Sequence, residues 1–595
     1  MNNLRVTLIA LATVALAACA NSDMTNDTSG SGGASATGGT NAQGDAGSNG
    51  SGGASGSGGG ASGGATGTGG GVATGGSPGT GGGGGKPGTG GATGTGGTGA
   101  KGGTTGTGGT PATGGTTGAG GSAGKPGTGG TTATGGTPGT GGTPATGGTT
   151  GTGGTSATGG TTGTGNAPGN ASSVYPPVNG TNVCPDPQLR ITFSAAPSIG
   201  TSGLIQVFNS SGTAVASVDV GASTFSTTNG GMTFNYQRPV YVDGNTVVVY
   251  LPSKPLTYNQ TYYVNVASGA IKSSSGAAFV VTGSTAWRFS TAAAAPTNKA
   301  AVGVALDGSA PFCSLQGALD FIPANNTAAV SVSLANGTYH EIVYFKSKSN
   351  VSIQGASEAG TILEGTNNNN LNPSTKGRAL IGADGTNGLT INNLTIYNQT
   401  PQGGSQAEAL RLESCSKCVV TNSTIISYQD TLLWDGTIYA KNDLIEGNVD
   451  YIWSSGAAYF DSCEIRTINR SGGVIVQSRN AAGAYGYVFN NCKLTSDSAS
   501  TGIALGRIDA SAYPGSMVAY VNCQMTNNIA PVGWTLTGGS ATSSLRFWEY
   551  KSVTSSGAAV DVSKRLAGSM QISDAEATTL STPSNVLGGW TPPGS

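Results

Sequence analysis

Thr421-Asn422-Ser423-Thr424-Ile425 and Lys441-Asn442-Asp443-Leu444-Ile445 are two copies of one short unit. Ile391-Asn392-Asn393-Leu394-Thr395-Ile396 precedes them, and Phe460-Asp461-Ser462-Cys463-Glu464-Ile465, Phe489-Asn490-Asn491-Cys492-Lys493-Leu494 and Tyr520-Val521-Asn522-Cys523-Gln524-Met525 follow. Each is a polar turn running into alternating side chains, and successive copies lie roughly 20 to 31 residues apart. Self-similarity at such a period marks a solenoid. Because β-branched residues alternate and no helical period appears, each coil is built of short strands. The expected fold is all-β, a right-handed parallel β-helix. Cys463, Cys492 and Cys523 occupy the same place in three copies, which predicts a stacked row of buried thiols at least as strongly as a bridge.

Two segments next to these copies carry the chemistry, Ser427-Tyr428-Gln429-Asp430-Thr431 and Val449-Asp450-Tyr451-Ile452-Trp453. Asp430 lies seven residues after Ser423 and Asp450 eight after Asn442. Equivalent residues of stacked coils sit about 4.8 Å apart, so the two carboxylates should be neighbours on one face. Carboxylates that close do not both ionise freely: one becomes an acid, the other stays a base or nucleophile. Either Asp alone would read as a solvated turn residue, and the matched offset reverses that preference.

Five ordered motifs surround the pair: Gly337-Thr338-Tyr339-His340-Glu341, Gln406-Ala407-Glu408-Ala409-Leu410, Tyr428-Gln429-Asp430-Thr431-Leu432, Val449-Asp450-Tyr451-Ile452 and Leu505-Gly506-Arg507. In order and approximate spacing they resemble the pectin methylesterase family over roughly 300 residues. The resemblance implies an esterase acting on galacturonate methyl esters without metal or cofactor. It implies Asp450 as nucleophile, Asp430 as acid and then base, Gln406 and Gln429 as oxyanion donors, and Arg507 as the partner that orients Asp450. Such roles suit the chemistry, since ester cleavage needs a nucleophile, a proton donor and donors aimed at the developing charge. Departures fall at the sugar contacts. Ile508-Asp509 stands where the family usually has Pro-Trp, Trp453-Ser454 replaces Phe-Gly, and Arg411 replaces an aromatic residue. Trp453 is expected to keep an aromatic platform, Tyr513 to compensate at the other position, and Arg411 to meet free carboxylates. Glu341 reads as structural and His340 as a surface residue.

His340 is the only histidine. A Ser-His-Asp hydrolase would have to use it, and no Gly-x-Ser-x-Gly elbow lies nearby. The Gly-His-Gly segment of polygalacturonases is absent, as is an oxygen-rich cluster with calcium spacing. Cys415-Ser416-Lys417-Cys418 has redox-motif spacing without a βαβ setting. A non-catalytic polysaccharide-binding or adhesive β-helix, and an esterase of the same mechanism on another acyl substrate, are the alternatives.

The composition divides the 595 residues. Residues 1–19 read as a secretory signal, with Leu16-Ala17-Ala18-Cys19 resembling a bacterial lipobox in which Cys19 is lipidated. Residues 20–172 are almost wholly Gly, Thr, Ala, Ser and Pro, a composition that predicts a disordered tether reaching about 60–75 Å. Residues 173–293 show evenly spaced strands, which predict a β-sandwich, and they resemble a bacterial Ig-like module, usually a spacer. Residues 294–595 hold the β-helix, opened by an amphipathic helix over Ser314–Ile322 that caps its core. With the four basic and three acidic residues of the first 172 removed, 22 basic and 24 acidic side chains remain, a net −2 that gives no footprint for nucleic acid. The expected partners are methyl-esterified pectin and, through Cys19, a membrane; the protein is expected to be a monomer in the cell envelope, surface-facing, or extracellular.

Overall fold

The computed structural model describes residues 163–252 and 254–595. The signal segment, Cys19 and all but the last ten residues of the tether lie outside the described residues.

The repeat in the sequence is a repeat in backbone conformation. Asn393, Asn422, Asn442, Ser462, Asn491 and Asn522 all have φ between 51° and 61°. This is the left-handed region, where a short polar side chain costs least. One such turn per coil hands the chain from one parallel sheet to the next. Register follows it: Thr424, Leu444, Glu464, Lys493, Gln524 and Val553 pair in succession, one per coil. A 17-stranded and a 9-stranded parallel sheet result. Inside, alternation turns Ile425, Ile445, Ile465 and Leu494 into the core. Aromatic rings stack along the axis, Phe460 on Phe489 at 4.5 Å and Phe489 on Tyr520 at 4.7 Å. Cys463, Cys492 and Cys523 form the expected row of buried free thiols, whereas Cys415 is bridged to Cys418.

The sandwich packs a four-stranded sheet on a five-stranded one around Ile191, Val247, Val264 and Trp287. It begins before Ser173. Gly165 N–H donates to the Val178 carbonyl and Ser172 N–H to that of Thr192, so residues 163–172 belong to this module and not to the tether.

The sandwich also closes the end of the β-helix, which a spacer would not do. Its hairpin, Thr224–Asn229 and Met232–Gln237, inserts Phe234 and Tyr236 into the core of the coils beside Leu315, Ile342 and Tyr344. The expected cap forms as helix Leu315–Phe321, and its free N–H groups are satisfied from both modules. Asp186 of the sandwich accepts from Ser314 N–H at 2.9 Å, and Glu341 accepts from Leu315 and Gln316 N–H at 2.8 and 3.0 Å. Burial pushes the Glu341 carboxyl up to about 7. Glu341 is thus structural, as the sequence implies. His340 is not at the surface: it is buried against Tyr241, with Asp243 of the sandwich and Glu364 of the next coil at 3.8 and 3.4 Å. Tyr339 points into the core, so alternation sends His340 out, and there the sandwich covers it. A Cys184–Cys313 disulfide joins the two modules.

Candidate active site

Leu432 pairs with Ile452, and Gln429 bridges to Val449, so Asp430 and Asp450 stand in one register column. The Asp430 N–H donates to the Val449 carbonyl at 3.1 Å. Both residues have positive φ, 65° and 47°. An Asp tolerates that conformation better than a bulky or β-branched residue, so the same backbone device that makes the coil turns also presents this pair. The column continues backward. Leu410 pairs with Leu432, which sets Glu408 opposite Asp430. Three buried carboxylates therefore occupy successive coils, Glu408, Asp430 and Asp450.

Two guanidiniums bracket them. Arg378 donates to Glu408 Oε1 and to Asp430 Oδ2, each at 2.8 Å from Nη2. Arg507 Nη2 donates to Asp450 Oδ2. The other oxygen of that carboxylate, Oδ1, is buried with no hydrogen-bond partner in the protein. Burial drives both aspartates above the usual carboxylate range, Asp430 well above it because Glu408 and Asp450 add to the effect against Arg378. For Asp450, Arg507 opposes burial most strongly, with Arg479 and Arg470 behind it. Asp430 is thus disposed to hold a proton and Asp450 to be the anion.

Gln406 and Gln429 lie on neighbouring coils, since Ala407 N–H donates to the Gln429 carbonyl. Both are half-buried. Gln406 Oε1 accepts from Ser405 Oγ at 3.0 Å, which leaves its NH₂ group available as a donor.

Trp453 is at the site, but it is no open platform: it is buried, with the Arg479 guanidinium 4.6 Å from its ring and Arg378 at 5.6 Å. Tyr513 stands beside the same Arg479 at 5.9 Å. Asp509 accepts from the N–H groups of Ser511 and Ala512, and so serves its own turn. Arg411 is not a substrate contact. It is 1% exposed and ion-paired with Asp384 and Glu413. Leu410 and Leu412 point into the core, alternation sends Arg411 out, and there the acidic side chains of the outer face enclose it.

Sequence alone did not single out Glu408, Arg378 or Arg479. Glu408 lies 15 residues after Asn393, so the turn offset that matched Asp430 with Asp450 did not mark it, and the strand register alone places it in the column. Arg378 lies in an irregular segment and Arg479 just past the end of strand Val474–Ser478, and neither carried a periodic signal.

The chain is a carboxylic ester hydrolase built on a parallel β-helix. The family described as Pectinesterase matches residues 301–589, and that described as Bacterial Ig-like domain matches residues 165–291. Pectinesterase 31 of Arabidopsis thaliana is 31% identical over 264 residues, covering 42% of this chain and 81% of the relative. Pectinesterase 1 of Olea europaea is 32% identical over 295 residues, covering 46% and 74%. A solved structure described as pectin methylesterase from carrot is 23% identical with a TM-score of 0.45, covering 48% of this chain and 93% of its own. The chain belongs to the pectinesterase family.

Proposed function

We propose that the protein hydrolyses the methyl esters of galacturonate residues in pectin, releasing methanol. The observation that carries this reading is the Asp450 carboxylate, ion-paired through one oxygen and unpartnered at the other, beside a second carboxyl disposed to stay protonated. Asp450 Oδ1 attacks the C6 carbonyl, whose oxygen becomes an oxyanion held by the amides of Gln406 and Gln429. The tetrahedral intermediate collapses by breaking the bond to the methoxy oxygen, which takes the Asp430 proton and leaves as methanol. Asp430, now anionic, takes a proton from water as that water attacks the acyl-enzyme. Breakdown of the second intermediate frees the galacturonate carboxylate and regenerates Asp450. Family membership supports the substrate class, and methanol release from highly methylated pectin by residues 163–595 tests it; no release would overturn it.

The amides give a second test. Gln429→Ala or Gln406→Ala should lower kcat by about 10²–10³-fold with a smaller change in KM. A change confined to KM would make them substrate-positioning groups instead.

One observation favours a related reading, the same mechanism on another acyl group. Arg479 covers Trp453, and Asp509 serves its turn, so neither position offers a bare aromatic face to a sugar ring. Rates on acetylated polysaccharide exceeding those on methylated pectin would decide for it.

For location, the proposal is a lipid anchor at Cys19 with the enzyme carried on the Gly/Thr-rich segment that follows. Cys19→Ser should release the protein from the membrane fraction or block its processing, while leaving turnover of the folded portion unchanged. Unaltered fractionation with membranes would dismiss the lipobox.

A further inference from the structure

Asn367-Asn368-Asn369-Asn370-Leu371-Asn372 is a run that neither the coil repeat nor the proposed chemistry explains. Asn367 and Asn372 are buried, and their amides form a continuous path. At one end is the sandwich hairpin: Asn235 N–H donates to Asn372 Oδ1 and Asn372 Nδ2 donates to the Asn235 carbonyl, both at 2.8 Å, while Asn235 Nδ2 donates to the Leu371 carbonyl at 3.2 Å. In the middle, Asn372 Nδ2 also donates to Asn367 Oδ1 at 2.8 Å. At the far end, Asn367 Nδ2 donates to the carbonyls of Gly377 and Ala379 at 2.9 and 2.7 Å, the residues on either side of Arg378. Asn398 ties the carbonyl of Asn367 to that of Glu408 at 2.7 and 2.9 Å. Both members of the Arg378–Glu408 pair are thereby fixed by one buried amide network, and such networks are strict about geometry because an unpaired buried amide is costly.

We propose that the Ig-like module is part of the catalytic apparatus: its hairpin, through Asn235, Asn372 and Asn367, positions Arg378 against Asp430. This rests on Asp430 being the proton donor and base. The charged groups facing Asp430 are Glu408 from the preceding coil, Asp450 from the following one, and the guanidiniums of Arg378 and Arg479. Arg378 opposes burial and the two carboxylates. When Arg378 is loosened, Asp430 holds its proton to higher pH, and it serves less well as the anionic base for deacylation. The acyl-enzyme then accumulates, so kcat and KM fall together.

The test is methanol release against pH in the full chain. Asn372→Ala should lower kcat by about tenfold and KM with it, and move the alkaline limb of kcat/KM up by about half a pH unit or more. Asn235→Ala, which removes the bond to the Leu371 carbonyl and, within the hairpin, the one that Asn235 Oδ1 accepts from Ser226 Oγ at 2.7 Å, should move it the same way by less, and it decides the matter where Asn372→Ala fails to fold. Gln188→Ala is the control. It deletes another sandwich-to-helix bond, to the His340 carbonyl at 2.9 Å, off this path, and should leave the profile unmoved. An unmoved limb in both asparagine variants, with Asp430→Asn inactive, would sink the coupling alone. Full turnover in Asp430→Asn would sink the role of Asp430 itself.

Discussion

Asp450→Asn should reduce ester hydrolysis by on the order of 10⁴-fold or more while leaving the fold intact. The carboxylate is held by Arg507 through one oxygen and keeps the other buried and unpartnered. An amide of the same shape still meets Arg507 through its oxygen, but it offers no nucleophile, and loss of a covalent nucleophile has effects of that size. Folding should be little changed, for two effects oppose each other. The charged form is disfavoured by burial, so removing it relieves a cost, whereas Arg507, 31% exposed at its side chain, loses an ionic partner. A thermal transition within about 4 °C of the parent is expected. Calorimetry and initial rates on one preparation check both parts. Parent-like turnover would remove Asp450 from the mechanism; loss of the transition would make it a structural residue.

Expressing residues 297–595 without the sandwich should cost the fold as well as the activity. The deletion strips Phe234 and Tyr236 from the core of the coils; each buried aromatic contributes about 1.5–3 kcal/mol. It orphans the Ile342 N–H and carbonyl, which bond to Tyr236 Oη at 2.8 and 3.1 Å, at about 1–3 kcal/mol for each buried group left unpaired. The Asp186 cap on helix Leu315–Phe321 is lost too, at about 1 kcal/mol. Together these reach the whole stability of an ordinary domain, about 5–15 kcal/mol. The truncated segment should show neither a cooperative transition nor near-ultraviolet dichroism like that of 163–595, and no methanol release. A soluble 297–595 segment with the full chain's rate would restore the sandwich to the rank of a spacer.

The coil architecture was legible in the sequence because each coil needs the same two things at the same place. A left-handed turn wants Asn, Asp or Ser, and the strand after it wants alternating apolar residues, so the need is written once per coil. Asp430 and Asp450 could be placed together for that reason: stacking converts a matched offset into a neighbour. Nothing comparable marks a residue that enters from outside the repeat. Arg378 reaches Asp430 across 52 residues from an irregular segment, and its placement depends on buried amides whose partners belong to another module. Arg411 shows the converse. Alternation gave its direction, outward, but whether outward means solvent was settled by Asp384 and Glu413 lying beside it. His340 was misread in the same way, since the sandwich that buries it is remote in sequence. Periodicity, a property of the chain, thus determined the β-helix and the carboxylate pair. The ion pairs that bias those carboxylates, and the hairpin that closes the core, arise only where segments without a shared period meet, and the tertiary structure alone decided them.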